Sequence, residues 1–219
     1  DIAIADKKIY ALRDTTATIE SINLIASSIM SKKLASGADK ILLDVTVGTG
    51  AFMKTLDDAK ELSKTMVKIG QLAGAETRAV ITTMSEPLGR NVGNALEIKE
   101  VISFLLSDET TLESEEIRDL KEVIFEIAAQ MIKMSGVCDD MEKNKKDIMK
   151  AITSRAAYDK FIELIKAQGG HIYNVYMDWI GMSLDMPVLD DKVRYLKEIH
   201  AQSDGYVVSI DSKKIGEAL

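Results

Sequence analysis

Two kinds of hydrophobic pattern alternate in the first half of this chain. Residues 41–45 and 78–82 are short, largely apolar runs of the kind found in fully buried strands. Between them, Leu62 and Met66 recur at helical spacing within a segment of about residues 55–72. Because a strand, a helix and a second buried-type strand in this order are typical of a parallel βαβ unit, we predict an α/β fold.

The rest of the chain has a mostly helical pattern. Residues 171–188, which are rich in methionine and aromatic residues, follow neither period. A connector of small residues near Ser36 separates part of a helical lobe, residues 1–36, from a helix-rich α/β lobe, residues 37–219. Outside the βαβ unit, the predicted elements are helices at residues 21–33, 94–106, 110–135, 139–152, 154–168 and 212–219, and a strand at 206–210.

The first predicted helix carries a face of mixed chemistry. Ile25, Ser28, Ile29 and Lys32 fall at i, i+3, i+4 and i+7 and therefore share one side. A hydroxyl and an ammonium alternate there with two branched aliphatic side chains, while Arg13 lies just upstream as a planar donor. This combination suits a flat ligand with an apolar edge and hydrogen-bonding groups, such as a pyrimidine base.

Two simpler interpretations of these residues remain open. Ser28 and Lys32 could form the solvated edge of a helix, and Arg13 could make only a local ion pair with Asp14.

Composition excludes several classes of function. With 46% hydrophobic and 29% charged residues the chain is of ordinary globular type, and no apolar run approaches the roughly 20 residues of a membrane helix. A net charge of −7 and 5% aromatic residues argue against nucleic-acid binding. The single cysteine, Cys138, excludes an intrachain disulfide framework and favours a reducing compartment, so we predict a cytoplasmic protein. The chain starts at Asp1 and stops at Leu219 inside a predicted helix, which indicates an internal piece of a longer protein.

Four segments together resemble one enzyme family. They are YALRDTTATIESINLIASSIMSKK at residues 10–33, LLDVTVGTGAFMKT at 42–55, MSEPLGRNVGNALEIKE at 84–100 and DGYVVSID at 204–211. In sequence, order and spacing they resemble the pyrimidine-nucleoside phosphorylase and thymidine phosphorylase family, in particular its bacterial pyrimidine-nucleoside branch.

This resemblance implies an activity and an assembly. Members are pentosyltransferases of pyrimidine salvage that convert uridine, thymidine or deoxyuridine and phosphate into the free base and (deoxy)ribose 1-phosphate. They are homodimers joined through a helical lobe that binds the base, and a larger α/β lobe binds the phosphate. The chain would lack the preceding segment with the family's phosphate motif and the end of the C-terminal region, so the isolated chain is expected to be inactive.

The resemblance also implies roles for individual residues. Arg13 and Lys32 would be catalytic donors at the carbonyl side of the base, with Ser28 near a ring nitrogen and Tyr10 as a neighbour. Ile25, Ile29 and Phe52 would line the apolar edge of the base. Some members bind potassium, for which the matching groups are the carbonyls of Leu88 and Asn91 and the carboxylate of Glu100. Without the resemblance, Glu100 is equally compatible with a solvated carboxylate.

A function from another class also fits these features. The chain could be a non-catalytic helical interaction or dimerisation module that has kept the fold and lost the chemistry. A relative of the same fold, anthranilate phosphoribosyltransferase, is the second enzyme alternative, but the residues of the base-side motif argue against it.

Overall fold

The computed structural model describes residues 3–170 and 197–218 of the chain. Within these residues it contains two strands and nine α-helices, which confirms the predicted helix-rich α/β class. The elements are α1 (Ile4–Thr15), α2 (Ile22–Ala35), β1 (Lys40–Val47), α3 (Leu56–Leu72), β2 (Glu76–Thr83), α4 (Asn94–Leu105), α5 (Glu109–Leu112), a 3-10 turn (Glu115–Ile117), α6 (Arg118–Ser135), α7 (Met141–Thr153), α8 (Ala156–Ala167) and α9 (Ser212–Ala218).

The chain divides into two compact units. Unit 1 comprises, of the described residues, 3–88, 119–146 and 210–218, and unit 2 comprises 89–118, 147–170 and 197–209. Helix α2 ends at Ala35, and both sides of Ser36 lie in unit 1. The predicted boundary near Ser36 between a helical lobe and an α/β lobe is a separate division of the chain and stays a prediction.

The predicted βαβ unit is present in unit 1. Strands β1 and β2 are parallel, with Lys40 opposite Glu76 at one end and Val47 opposite Thr83 at the other. Helix α3 connects them and is capped by the preceding Thr55, whose side-chain oxygen accepts a hydrogen bond of 3.2 Å from the Asp58 amide.

Helix α3 lies close to the sheet at Gly70. A Cβ atom at this position would come within 1.9 Å of the Thr77 hydroxyl oxygen, so only glycine permits this approach of helix and strand.

The core of unit 1 holds α2 in place. Met30 of α2 is fully buried and belongs to the same cluster as Leu43 of β1 and Met66 of α3. Since Ile25 of α2 is also buried in this cluster, the mixed face of α2 rests on a rigid base.

Unit 2 contains α4, the short α5 and α8. Its buried side chains include Phe104, Leu112 and Tyr158. The single helix predicted for residues 110–135 is instead broken into α5, the 3-10 turn and α6. Asp108 begins α5 by accepting a 2.8 Å hydrogen bond from the Thr111 amide, and Ser114 starts the next turn in the same way.

The predicted strand at residues 206–210 is wrong, because these residues have no regular structure. Tyr206 is 98% and Val208 97% exposed, and the sheet formed by the described residues contains only β1 and β2. An alternating pattern becomes a strand only where a neighbouring strand pairs with its backbone. The pattern-free segment at residues 171–188 lies outside the described residues.

None of the helices described here is long and apolar enough to cross a membrane.

Candidate functional site

Helices α1 and α2 bring together two of the predicted site residues and one that was not predicted. Ser28 and Lys32 lie one turn apart on α2, and the Lys32 ammonium donates a hydrogen bond of 3.0 Å to the Ser28 hydroxyl. The same ammonium lies 2.6 Å from a carboxylate oxygen of Asp6, which α1 supplies from 26 residues away. We call Asp6, Ser28 and Lys32 the α1–α2 cluster.

Arg13 is buried beside this cluster, with 3% of its surface exposed. Its guanidinium donates to the carbonyl oxygens of Thr18 at 3.4 Å and Ile19 at 2.5 Å, in the segment that joins α1 to α2, and of Leu24 at 3.2 Å, in the first turn of α2. A guanidinium has five N–H donors, so two lie outside these three bonds. The predicted base-side donor therefore also organises the connection between the two helices.

Tyr10 lies under Arg13, as a neighbour in the site. The guanidinium carbon is 5.1 Å from the centre of the Tyr10 ring, which is cation–π distance. The ring restricts the tilt of the guanidinium plane.

Together with the neighbouring Arg13, the α1–α2 cluster carries one more positive than negative charge. The hydrogen bond from Lys32 lowers the pKa of Asp6, assisted by Ser28 and by the charges of Lys32 and Arg13, while partial burial opposes the shift. Asp6 is therefore ionised at neutral pH, and one carboxylate faces two cations. The ammonium of Lys32 has a third N–H beyond its bonds to Asp6 and Ser28, and the side chain is 48% exposed. The arrangement can donate a charged hydrogen bond to an incoming carbonyl oxygen.

Of the predicted apolar residues, Ile25 and Ile29 lie on the same face of α2, and Phe52 lies in the loop between β1 and α3. Ile25 is buried, Ile29 is half-buried and Phe52 is 65% exposed. Ile25 and Phe52 together line an open cavity of about 270 Å³, whose other lining residues are Glu20, Ile22, Met53, Lys54 and Asp58. Since Ile25 is three residues before Ser28, the cavity and the cluster are about 4.5 Å apart along α2.

The lining of this cavity does not include the predicted donors. Of the seven residues predicted to contact the base, it contains Ile25 and Phe52, whereas Lys32 bonds to Asp6 and Ser28 bonds to Lys32. The one cation of the lining, Lys54, donates to the carbonyls of Thr49 at 3.0 Å and Ala51 at 2.7 Å.

The predicted potassium ligand Glu100 anchors a loop in unit 2. Its carboxylate accepts hydrogen bonds from the amides of Arg90 at 2.8 Å and Asn91 at 3.4 Å. Gly89 has φ +76°, and a Cβ there would be 2.6 Å from a Glu100 oxygen. Each carboxylate oxygen keeps a lone pair outside these bonds and so is chemically compatible with a hard cation.

The rest of the predicted potassium shell, the carbonyls of Leu88 and Asn91, stays a prediction. The part of the chain that the structure describes contains no group of three or more His, Cys, Asp or Glu residues that could hold a metal ion.

Asp6 is the site residue that the sequence analysis missed. It lies seven residues, or two turns, before Arg13 on α1, so the two share a helix face. That spacing could have identified it, had α1 been recognised as a helix.

Comparisons with known proteins show which family this chain is similar to. Residues 3–158 match the model of the family described as "Glycosyl transferase family, a/b domain". The chain is 44% identical over 214 residues to proteins named pyrimidine-nucleoside phosphorylase from Staphylococcus aureus strains bovine RF122 / ET3-1, USA300 and COL, and the alignments cover 98% of this chain and 46% of each relative. The chain thus spans about half the length of the curated relatives it matches.

Proposed function

We propose, from the premise that this chain belongs to the glycosyl transferase family with the a/b domain, that it is the base-binding part of a pyrimidine-nucleoside phosphorylase. The similarity to such enzymes that the four sequence segments predicted is confirmed. The observation that carries the proposal is the convergence of Ser28 and Lys32 beside the buried Arg13, on one face of α2.

The proposed reaction is reversible phosphorolysis. Phosphate attacks the anomeric carbon of uridine, thymidine or deoxyuridine, the bond from that carbon to the base nitrogen breaks, and its electron pair moves into the pyrimidine. The phosphate proton ends on the ring nitrogen of the departing base, so the products are the free base and (deoxy)ribose 1-phosphate. Because negative charge develops on the base carbonyls, charged donors there stabilise the transition state more than the substrate.

Arg13 and Lys32 are the proposed charged donors, and Ser28 contacts a ring nitrogen. A hydrogen bond to a charged group contributes about 1.5–3 kcal/mol, which corresponds to roughly tenfold to a hundredfold in rate if it acts only in the transition state. The uncommitted N–H groups of both side chains, described above, support this role.

The apolar side of the base would contact Ile25, Ile29 and Phe52. The cavity between Ile25 and Phe52 supports this placement, because a thymine methyl group requires an apolar wall. Tyr10 is proposed to act through Arg13, whose guanidinium plane it restricts.

Several properties of the whole enzyme are part of the proposal. Residues 1–36 would belong to the helical, dimerising lobe and residues 37–219 to the phosphate-side lobe of a cytoplasmic homodimer. Ile4, Ile9 and Leu12 of α1 are 61%, 52% and 64% exposed, which supports a contact surface on this helix. Potassium would be held by the carbonyls of Leu88 and Asn91 together with Glu100.

Calorimetric titration of uracil and thymine into the chain tests the base-binding role. We expect binding by the wild-type chain, loss of binding in Lys32→Met, and unchanged binding in Lys33→Met, which removes the neighbouring exposed lysine. Absence of binding in the wild-type chain would favour the non-catalytic interaction module, and equal binding by both variants would remove Lys32 from the site.

A further inference from the structure

Asp6 is the one member of the α1–α2 cluster to which the proposed reaction gives no role. It cannot donate a hydrogen bond to a base carbonyl while ionised. Its carboxylate nevertheless lies 2.6 Å from the ammonium of Lys32, the proposed catalytic donor.

The pair differs from an ordinary surface ion pair. In the Lys40–Glu76 pair at the sheet edge both side chains are about equally exposed, at 42% and 41%. In the α1–α2 cluster the Asp6 side chain is shielded and only 13% exposed, whereas the Lys32 side chain is 48% exposed. A shielded carboxylate can hold the ammonium in place, while the ammonium itself stays accessible to a ligand.

The geometry also fixes the direction of the ammonium. Lysine has a flexible four-carbon stem and three rotatable donors, so a free ammonium occupies many positions. Two donors of Lys32 are taken by Asp6 and Ser28, which come from different helices. The third N–H is thereby confined to one direction.

We propose that Asp6 is a positioning residue that holds the Lys32 ammonium against Ser28, so that its remaining N–H is directed at a carbonyl oxygen of the pyrimidine base. The inference rests on the proposed function, and it adds a residue of α1 to the base-side machinery. Misplacement of a catalytic group by about 1 Å can lower a rate by as much as a hundredfold, so loss of this anchor should affect turnover.

The kinetic experiment uses the full gene product that contains this chain and measures phosphorolysis of uridine. Asp6→Asn keeps the shape of the side chain and removes its charge. We expect kcat to fall roughly tenfold and the KM for phosphate to stay unchanged, because phosphate is bound elsewhere. Asp14→Asn, which removes an exposed carboxylate from the same helix, should behave as wild type. Asp6→Glu retains the charge and should restore part of kcat.

A double-mutant cycle separates positioning from a structural role. If Asp6 acts through Lys32, Asp6→Asn should have no further effect on kcat in a Lys32→Met background. An equal effect of Asp6→Asn in both backgrounds, or wild-type kcat in Asp6→Asn, would overturn the inference. A wild-type protein without phosphorolysis would instead refute the proposed function.

A measurement independent of activity uses nitrogen-15 NMR of the lysine ammonium groups in this chain. A Lys32 signal, assigned by its loss in Lys32→Met, should be observable in the wild type because hydrogen bonding slows its proton exchange. It should disappear in Asp6→Asn and persist in Asp14→Asn. Persistence in Asp6→Asn would show that Asp6 does not hold the ammonium and would overturn the inference whatever the kinetics.

Discussion

Two carboxylates in this chain, one in each unit, accept hydrogen bonds from different kinds of donor. Asp6 accepts a hydrogen bond from the flexible side chain of Lys32, whereas Glu100 accepts from the backbone amides of Arg90 and Asn91. The first arrangement leaves a charged donor with an N–H to spare, while the second ties a loop to the helix that follows it. The same functional group therefore prepares a binding site in unit 1 and closes a loop in unit 2.

The largest effect should come from removing Arg13, whose donors bond the connector between α1 and α2 and the first turn of α2. Arg13→Ala would leave the carbonyls of Thr18, Ile19 and Leu24 without this donor. We expect the free energy of unfolding to fall by about 2–4 kcal/mol. Chemical denaturation checks this, with Arg13→Lys as the partial replacement. A loss below about 1 kcal/mol would show that these three bonds do not hold the connector and the start of α2 in place.

A second prediction concerns Lys32, the donor that Asp6 holds. In the full gene product, Lys32→Ala should lower kcat/KM for uridine by roughly tenfold to a hundredfold, because one charged hydrogen bond to the transition state is lost. Lys33→Ala, one position further on α2, is the matched control and should retain wild-type kinetics. Wild-type kinetics in Lys32→Ala would make the α1–α2 cluster purely structural.

A third prediction concerns the loop that Glu100 anchors, which can be weakened by a substitution at Gly89. Gly89→Ala should destabilise the chain by about 1–2 kcal/mol, because φ is +76° and the new Cβ would displace the Glu100 carboxylate. Gly74→Ala has a similar φ of +84° with no atom within 4 Å of the added Cβ, so it reports the backbone cost alone. Thermal unfolding of both variants measures the difference. Equal destabilisation would mean that the Glu100 contact adds nothing.

The smallest expected effect is the pH dependence of the Asp6 contribution to stability. Since the pKa of Asp6 is lower in the folded than in the unfolded chain, its stabilisation is present above the unfolded pKa and is lost as the pH falls through the folded value. Asp6→Asn should therefore cost a few tenths to about 1 kcal/mol at pH 7. The cost should begin to shrink near the unfolded pKa of about 4 and should vanish only below the lower folded pKa, where Asp6 becomes protonated. A constant difference in melting temperature across this range would contradict this assignment.

Local patterns predicted the βαβ unit and helix α2 correctly. The spacing of Leu62 and Met66 in α3 and the residues of α2 are set by the repeat of a single helix, and such a repeat can be recognised without knowledge of distant contacts. The match of the four segments identified the family for the same reason, because it depends on residue order alone.

Other features depended on residues that are distant along the chain. The sequence alone determined which side chains share a face of α2, since the helical repeat fixes that at short range. Only the tertiary structure decided that Asp6 meets Lys32 across 26 residues, that Arg13 turns towards the carbonyls of Thr18 and Ile19 in the connector, and that residues 206–210 have no strand partner among the described residues. A charged or backbone group takes whichever partner the packed chain brings within about 3 Å, and that choice is made by packing and not by local periodicity.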